Sequence, residues 1–166
     1  MSIKFGRGRK AKARLSEIEN RVSIDSENNN LASRMKFNFS YFDQDQANGP
    51  GQNFEDWSEK QKNDFYQKLI EFSQKSIEEW KRDGNLKIYG NFPKPDKTDF
   101  KEPQHTPFEA QWGRFRLGGK LRLAGFVLDG ERDNTLQEGS RFRFCSNTFY
   151  VVFLDENHVF YKSKQR

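Results

Sequence analysis

Between Arg34 and Phe42 the chain reads RMKFNFSYF, in which Met35, Phe37, Phe39 and Tyr41 alternate with Lys36, Asn38 and Ser40. Period two is the pattern of a half-buried strand, and it predicts one over 34–42. The stretch that follows, DQDQANGPGQN, has no apolar side chain larger than Ala47 and reads as a loop. The period then lengthens. Phe65, Leu69, Phe72, Ile77 and Trp80 fall near one stripe of a 3.6-residue repeat, with charged residues around the remainder, which predicts one amphipathic helix over 58–83. Ser58 and Gln61 have capping-box spacing at its start, and Gly84 suits the left-handed residue that closes a helix.

LKIYGNF, residues 86–92, is a short strand candidate. After it Pro93, Pro95, Pro103 and Pro107 push their preceding residues toward extended backbone and predict an irregular surface connection over 93–107. The last third reads as strands at 111–117, 121–128, 141–145, 148–154 and 158–161. A two-residue Ser146-Asn147 turn would set Phe144 opposite Phe149 and Phe142 opposite Val151. Together these elements predict an α+β domain over 34–166, with an amphipathic helix packed on a twisted antiparallel β-sheet.

Register decides what the hairpin in WGRFRLGGKLRLAGFVL, residues 112–128, presents. A loop of Gly118 and Gly119 alone would place Phe115 opposite Arg122 and mix charge into the apolar face. An odd loop, Gly118-Gly119-Lys120, instead pairs Leu117 with Leu121 and Phe115 with Leu123, and these residues with Val127 make one apolar face. The other face then carries Arg114, Arg116 and Arg122 between Trp112 and Phe126, with Lys120 at the turn. Arg116 would lie across from Arg122, a like-charge pair that costs a few tenths to about 1 kcal/mol. Acids from elsewhere in the chain, an acidic partner or a polyanionic substrate would offset that cost.

Composition refines this picture in three ways. The chain has 33% hydrophobic and 32% charged residues, yet 17 Phe, so its core is small and aromatic. Of the net charge of +5, six bases precede the first acid, Glu17, and the rest of the chain holds 23 bases against 24 acids. The high pI therefore belongs to a basic arm over 1–33, expected to be flexible, and not to the domain. One cysteine, Cys145, permits no intramolecular disulfide, and no apolar run reaches membrane-spanning length, so a soluble cytoplasmic protein without membrane association is expected. His105, in the Pro-rich connection, is expected to be a surface histidine without a partner.

The C-terminal segment FYVVFLDENHVFYKSKQR brings His158 and Tyr161, flanked by Lys162 and Lys164, after an apolar strand. A titratable imidazole, a phenol and a set of cations could serve phosphate chemistry at one site. An amphipathic helix, the RFRLGGKLRLAGF hairpin, an apolar strand and this His/Tyr segment together resemble the RelE/YoeB superfamily of ribonuclease toxins from bacterial toxin–antitoxin systems. The resemblance covers about 58–83 and 110–162. It implies a helix or helical hairpin on a twisted sheet whose concave face cuts mRNA on the ribosome. Arg114 and Arg116 look like the family's basic pair, Arg122 like the arginine that holds the scissile phosphate, His158 like the late acid/base histidine and Tyr161 like the C-terminal tyrosine. No glutamate stands clearly at the family's general-base position, although Glu109 lies just upstream of the basic strand. In a regular strand His158 and Tyr161, three apart, would point to opposite faces.

On this reading the protein is expected to be a toxin-like endoribonuclease of a toxin–antitoxin or defence system. A ribose 2′-hydroxyl attacks the adjacent phosphorus, Arg122 and Arg116 stabilise the developing charge, and His158 moves a proton. Tyr161 or Trp112 stacks on a base, and Arg114, Lys120 and Lys162 add substrate contacts. With no His/Cys/Asp cluster at metal-ligand spacing, neither a metal nor another cofactor is expected. The expected partners are RNA, including ribosome-bound mRNA, and an acidic antitoxin. Two other classes share the same basic face: a non-catalytic RNA- or DNA-binding module and an adaptor that docks an acidic protein.

Overall fold

The computed structural model describes residues 23–26, 29–49 and 51–162. The chain divides into Met1–Ala32 and Ser33–Arg166, and all the strands and α-helices described below belong to the second unit. Most of the basic arm, residues 1–22, 27 and 28, lies outside the described residues.

Five strands, β1 (Lys36–Asn38), β2 (Leu86–Gly90), β3 (Ala110–Gly118), β4 (Leu121–Leu128) and β5 (Thr148–Asp155), form one sheet in the order β1-β5-β4-β3-β2. Neighbours are antiparallel except β1, which runs parallel to β5 with Lys36 beside Thr148. The sheet is thus mixed, not antiparallel as expected. Between the edge strands β1 and β2 the chain runs through two helices, α1 (Glu59–Phe72) and α2 (Ile77–Arg82), so this connection lies over one face of the sheet.

The single helix expected over 58–83 is broken, and local chemistry explains where. Ser58 and Gln61 form the expected capping box. Ser73 Oγ donates to the Leu69 carbonyl as the first helix ends, and a second box, Ser76 with Glu79, starts the next. The buried Trp80 indole donates to the Phe72 carbonyl at 2.7 Å, satisfying a carbonyl exposed by the break. Gly84, with φ 76°, follows the second helix as expected.

Two further strand expectations are corrected. Residues 141–145 do not pair with β5; Phe144 exchanges backbone bonds with Asn134 and Thr135, because the free edge of β5 is taken by β1. The Phe144–Phe149 and Phe142–Val151 pairs are therefore not formed. Residues 158–161 turn instead of extending, and the first strand spans only 36–38 of the expected 34–42.

Both faces of the sheet are buried. On one, Phe72, Trp80, Phe65 and Ile77 from the helices pack with Phe115, Leu117, Leu123, Val127, Phe149 and Val151. On the other, Trp112, Ala124, Phe126, Val152 and Phe153 are covered by Phe100 from the Pro-rich connection and Phe160 from the C-terminal segment. Among the described residues, no helix is long and apolar enough to cross a membrane.

Candidate phosphate-binding site

Arg116 lies across from Arg122, Phe115 across from Leu123 and Trp112 across from Phe126, the register expected from the apolar pattern. The turn reaches it by another route. Gly118 pairs with Leu121 around a Gly119-Lys120 turn, and Leu117 is the extra residue of a bulge, so parity is conserved without a three-residue loop. Gly119, at φ 49°, supplies the left-handed backbone of the turn. Leu117, Leu121, Leu123, Phe115 and Val127 face the helices, leaving the arginines on the other side.

That side holds one more cation than the hairpin supplies. Lys87 of β2 lies across from Arg114, so Lys87–Arg114 and Arg116–Arg122 are two like-charge cross-strand pairs. Among the described residues no carboxylate forms an ion pair with Arg114, Arg116, Lys120 or Arg122. Among the described residues this charge has no ion-pair partner, although Asp155 acts on Arg122 at longer range.

Arg122 is only 6% exposed, and its Nη1 donates to the carbonyls of Gly119 (2.8 Å) and Leu121 (2.7 Å), clasping the turn. Burial, followed by the charges of Arg114 and Arg116, lowers its pKa. Arg116 and Lys120 are exposed and Arg114 is half-buried. The Arg114 guanidinium lies 5.9 Å from the centre of the Tyr89 ring.

The C-terminal segment meets this cluster. Asp155, the last residue of β5, lies across from Arg122, and its carboxylate accepts the amides of Val159 and Phe160. Desolvation raises the Asp155 pKa against the opposing effect of those amides. His158 sits inside this turn with φ 61°. Burial first, then the charges of Arg114, Arg122, Arg116 and Lys120, push its pKa down to about 4, so the imidazole is neutral at neutral pH. Because the backbone turns at His158, the alternation rule of a strand does not separate it from Tyr161. The Tyr161 ring stacks on Tyr89 with centres 4.0 Å apart and planes 4° apart. Burial is the main influence on Tyr89 and raises its pKa, with Arg114 acting in the opposite direction.

Three buried polar atoms in this group have no hydrogen-bond partner: Arg114 Nη1, His158 Nε2 and Tyr89 Oη. Tyr89 and Arg114 are close enough to act on each other, the guanidinium opposing the effect of burial on the phenol, and the three groups gather beside the cationic face.

No family model, characterised protein or solved structure matches this chain.

The structure corrects several expected roles. Trp112 is 1% exposed, packed against Phe92, Phe126 and Phe160, and its indole donates to Glu102, so it offers no face to a base. Lys162 is held by Asp99. Glu109 pairs with Arg132 near the opposite end of the hairpin, so it supplies no base here. His105 is exposed but not alone, since it stacks on Tyr41. Tyr89, Lys87 and Asp155 were missed. Alternation in LKIYG places Lys87 opposite in face to Leu86 and Ile88, a signal available in the sequence, but its pairing with Arg114 was not. A separate cleft of about 420 Å³ beside α2 is less suited to an anion, because its Lys81 is paired with Glu78 at 2.7 Å.

Proposed function

We propose that the Lys87–Arg114–Arg116–Lys120–Arg122 face with His158 binds a phosphodiester of single-stranded RNA and cleaves it, as a toxin-like endoribonuclease. What carries this reading is the pairing of Lys87 with Arg114 and of Arg116 with Arg122 on one sheet face, beside the Asp155 turn that carries His158. His158 Nε2 is buried in the free protein, so the ring turns outward as RNA binds, and the neutral imidazole then accepts the proton of the ribose 2′-hydroxyl. The 2′-oxygen bonds to phosphorus, the bond to the 5′-oxygen breaks, and that oxygen leaves with a proton from water, giving a 2′,3′-cyclic phosphate. Charge gained by the phosphoryl oxygens in the transition state is met by the exposed guanidinium of Arg116, which suits bidentate contact, and by the charge of half-buried Arg114. Arg122, with Nη1 spent on the turn, contributes mainly through its charge. Burial is the main cause of the low basicity of His158; a phosphate entering this cluster offsets the second cause, the neighbouring cations, and raises that basicity in part. Tyr161, backed by Tyr89, offers a ring for base stacking. An acidic antitoxin segment would meet the same uncompensated charge.

A non-catalytic RNA-binding module is the second reading, favoured by the commitment of Arg122 to its own turn and by the weak basicity of free His158. Inducible expression of wild type, Arg114→Ala and His158→Ala in a bacterial host, with growth and mRNA 5′-end mapping, separates the two. The ribonuclease reading expects growth arrest and new mRNA ends that both variants lose while remaining folded. RNA binding that survives His158→Ala, with no new ends in wild type, transfers the assignment to the binding module.

A further inference from the structure

We propose that Asp155 is the positioning residue of this site: its carboxylate fixes the turn that presents His158 and, from the neighbouring strand, sets that turn against Arg122. The role in catalysis rests on the RNA-cleaving reading above; the role in placing His158 does not.

The placement begins with a bulge. Ala124 pairs with Phe153 and Gly125 with Val151, so Val152 is an extra residue in β5. Phe149 and Val151 face the helices, and uninterrupted alternation would send residues 153 and 155 to that same apolar face. The extra residue turns Phe153 into the opposite aromatic layer and places Asp155 beside Arg122. A fully buried carboxylate is costly unless its oxygens are engaged. Both are: Oδ1 accepts Val159 N–H and Oδ2 accepts Phe160 N–H, each at 2.9 Å.

These bonds bracket the end of a turn whose residue 158 has left-handed backbone, a conformation a non-glycine residue holds only when its surroundings impose it. Phe160, fully buried against Phe153 and Trp112, anchors the far side. The His158 amide also donates to the Asp155 carboxylate, which lies across from Arg122, so His158 is held at the end of β5 beside the hairpin and feels the charges of Arg114 and Arg122. A carboxylate that merely closed a turn would affect stability alone. One that positions His158 also governs how that imidazole meets solvent and substrate.

The chain has two histidines, so the His158 imidazole signals are readily assigned and followed by NMR titration in wild type and Asp155→Asn. Asparagine keeps the size but sets an amide N–H against a backbone N–H. The expected result is that His158 moves from titrating at about 4 toward the ordinary value near 6.5 as it swings into water. In RNA cleavage the variant is expected to lose kcat on the order of 10²-fold with little change in KM. A folded Asp155→Asn protein with wild-type His158 titration overturns the proposal. If the variant does not fold, hydrogen exchange in wild type decides: protected Val159 and Phe160 amides support it, and rapid exchange at both overturns it. A wild type that cleaves no RNA defeats the ribonuclease reading, while the titration still decides the role of Asp155.

Discussion

The two faces of the sheet are filled with the same material and closed in different ways. On the helix side Phe72 stacks on Phe115 at 4.5 Å and meets Trp80 edge-on at 5.1 Å, beneath two helices whose interior backbone groups bond within each helix and whose break is closed by side chains. On the other side Trp112, Phe126 and Phe153 lie beneath Phe100 and Phe160, carried by segments without regular structure. Those segments secure their backbones through particular bonds, such as Asp99 N–H to the Val159 carbonyl and Lys162 N–H to the Lys97 carbonyl. A regular cover closes a face uniformly, whereas an irregular one leaves its edges to individual side chains. The cationic site lies at such an edge, where aromatic layer gives way to arginine.

The sharpest test of this contrast is to remove one ring from each side. Phe72→Ala should cost about 3–5 kcal/mol in chemical unfolding and leave the His158 titration where it is. Phe160→Ala should cost a similar amount and also displace His158, because Phe160 anchors its turn. If both variants leave His158 unmoved, the two covers do not differ in the way described.

Next in size is Gly125→Ala. A Cβ there would lie 2.0 Å from the Tyr150 carbonyl oxygen, so β4 and β5 must part, at about 1–3 kcal/mol by thermal unfolding. The same change at Gly119, where nothing lies within 4 Å, meets only its left-handed backbone and should cost less.

Acid separates the faces without mutation. His158 takes up its proton at about 4 in the folded protein but near 6.5 when unfolded, so between these values the unfolded chain holds the extra proton. Stability should therefore fall as pH drops from 6.5 to 4, and His158→Asn should flatten that slope. Asp155 acts in the opposite sense. Its raised folded pKa favours the folded state at low pH, and this contribution is lost as pH rises from 3.8 through that value. The smallest effect is expected from Arg116→Ala, which relieves the pair with Arg122 and should raise stability by a few tenths of a kcal/mol while weakening salt-dependent RNA binding.

The sequence made the helix face legible because its signals are local: the stripe from Phe65 to Trp80, the Ser58 cap and the parity of Phe115 with Leu123. It also revealed which residues share the cationic face, since one apolar register admits only one opposite side. The cover of that face was not legible. Phe100 lies in a segment with no periodicity and Phe160 in one whose residues read as a short strand, so nothing local marks either as the lid over Trp112. The bulge at Val152 escaped for a related reason. FYVVFL is apolar at every position, and an unbroken apolar run records no alternation from which a slip could be read. The missed Ser76–Glu79 box had a readable spacing, but the apolar stripe ran across it and favoured one continuous helix.

The parallel pairing of Lys36 with Thr148 has a consequence for how the molecule assembles. Nearly the whole sheet-bearing unit lies between these two residues, so joining them closes its longest loop for the return of a three-residue edge strand. Antiparallel neighbours linked by short connections, such as β3 and β4, carry no such kinetic burden. β1 thus acts as a latch, set late during folding and opened early under stress, and its amides should exchange with solvent through local opening before those of β4. When it opens, the first half of the outer edge of β5, Thr148–Tyr150, is bared, while Asp43 and Gln52 still donate to the Val152 and Leu154 carbonyls and keep the second half from serving as a template on which chains associate.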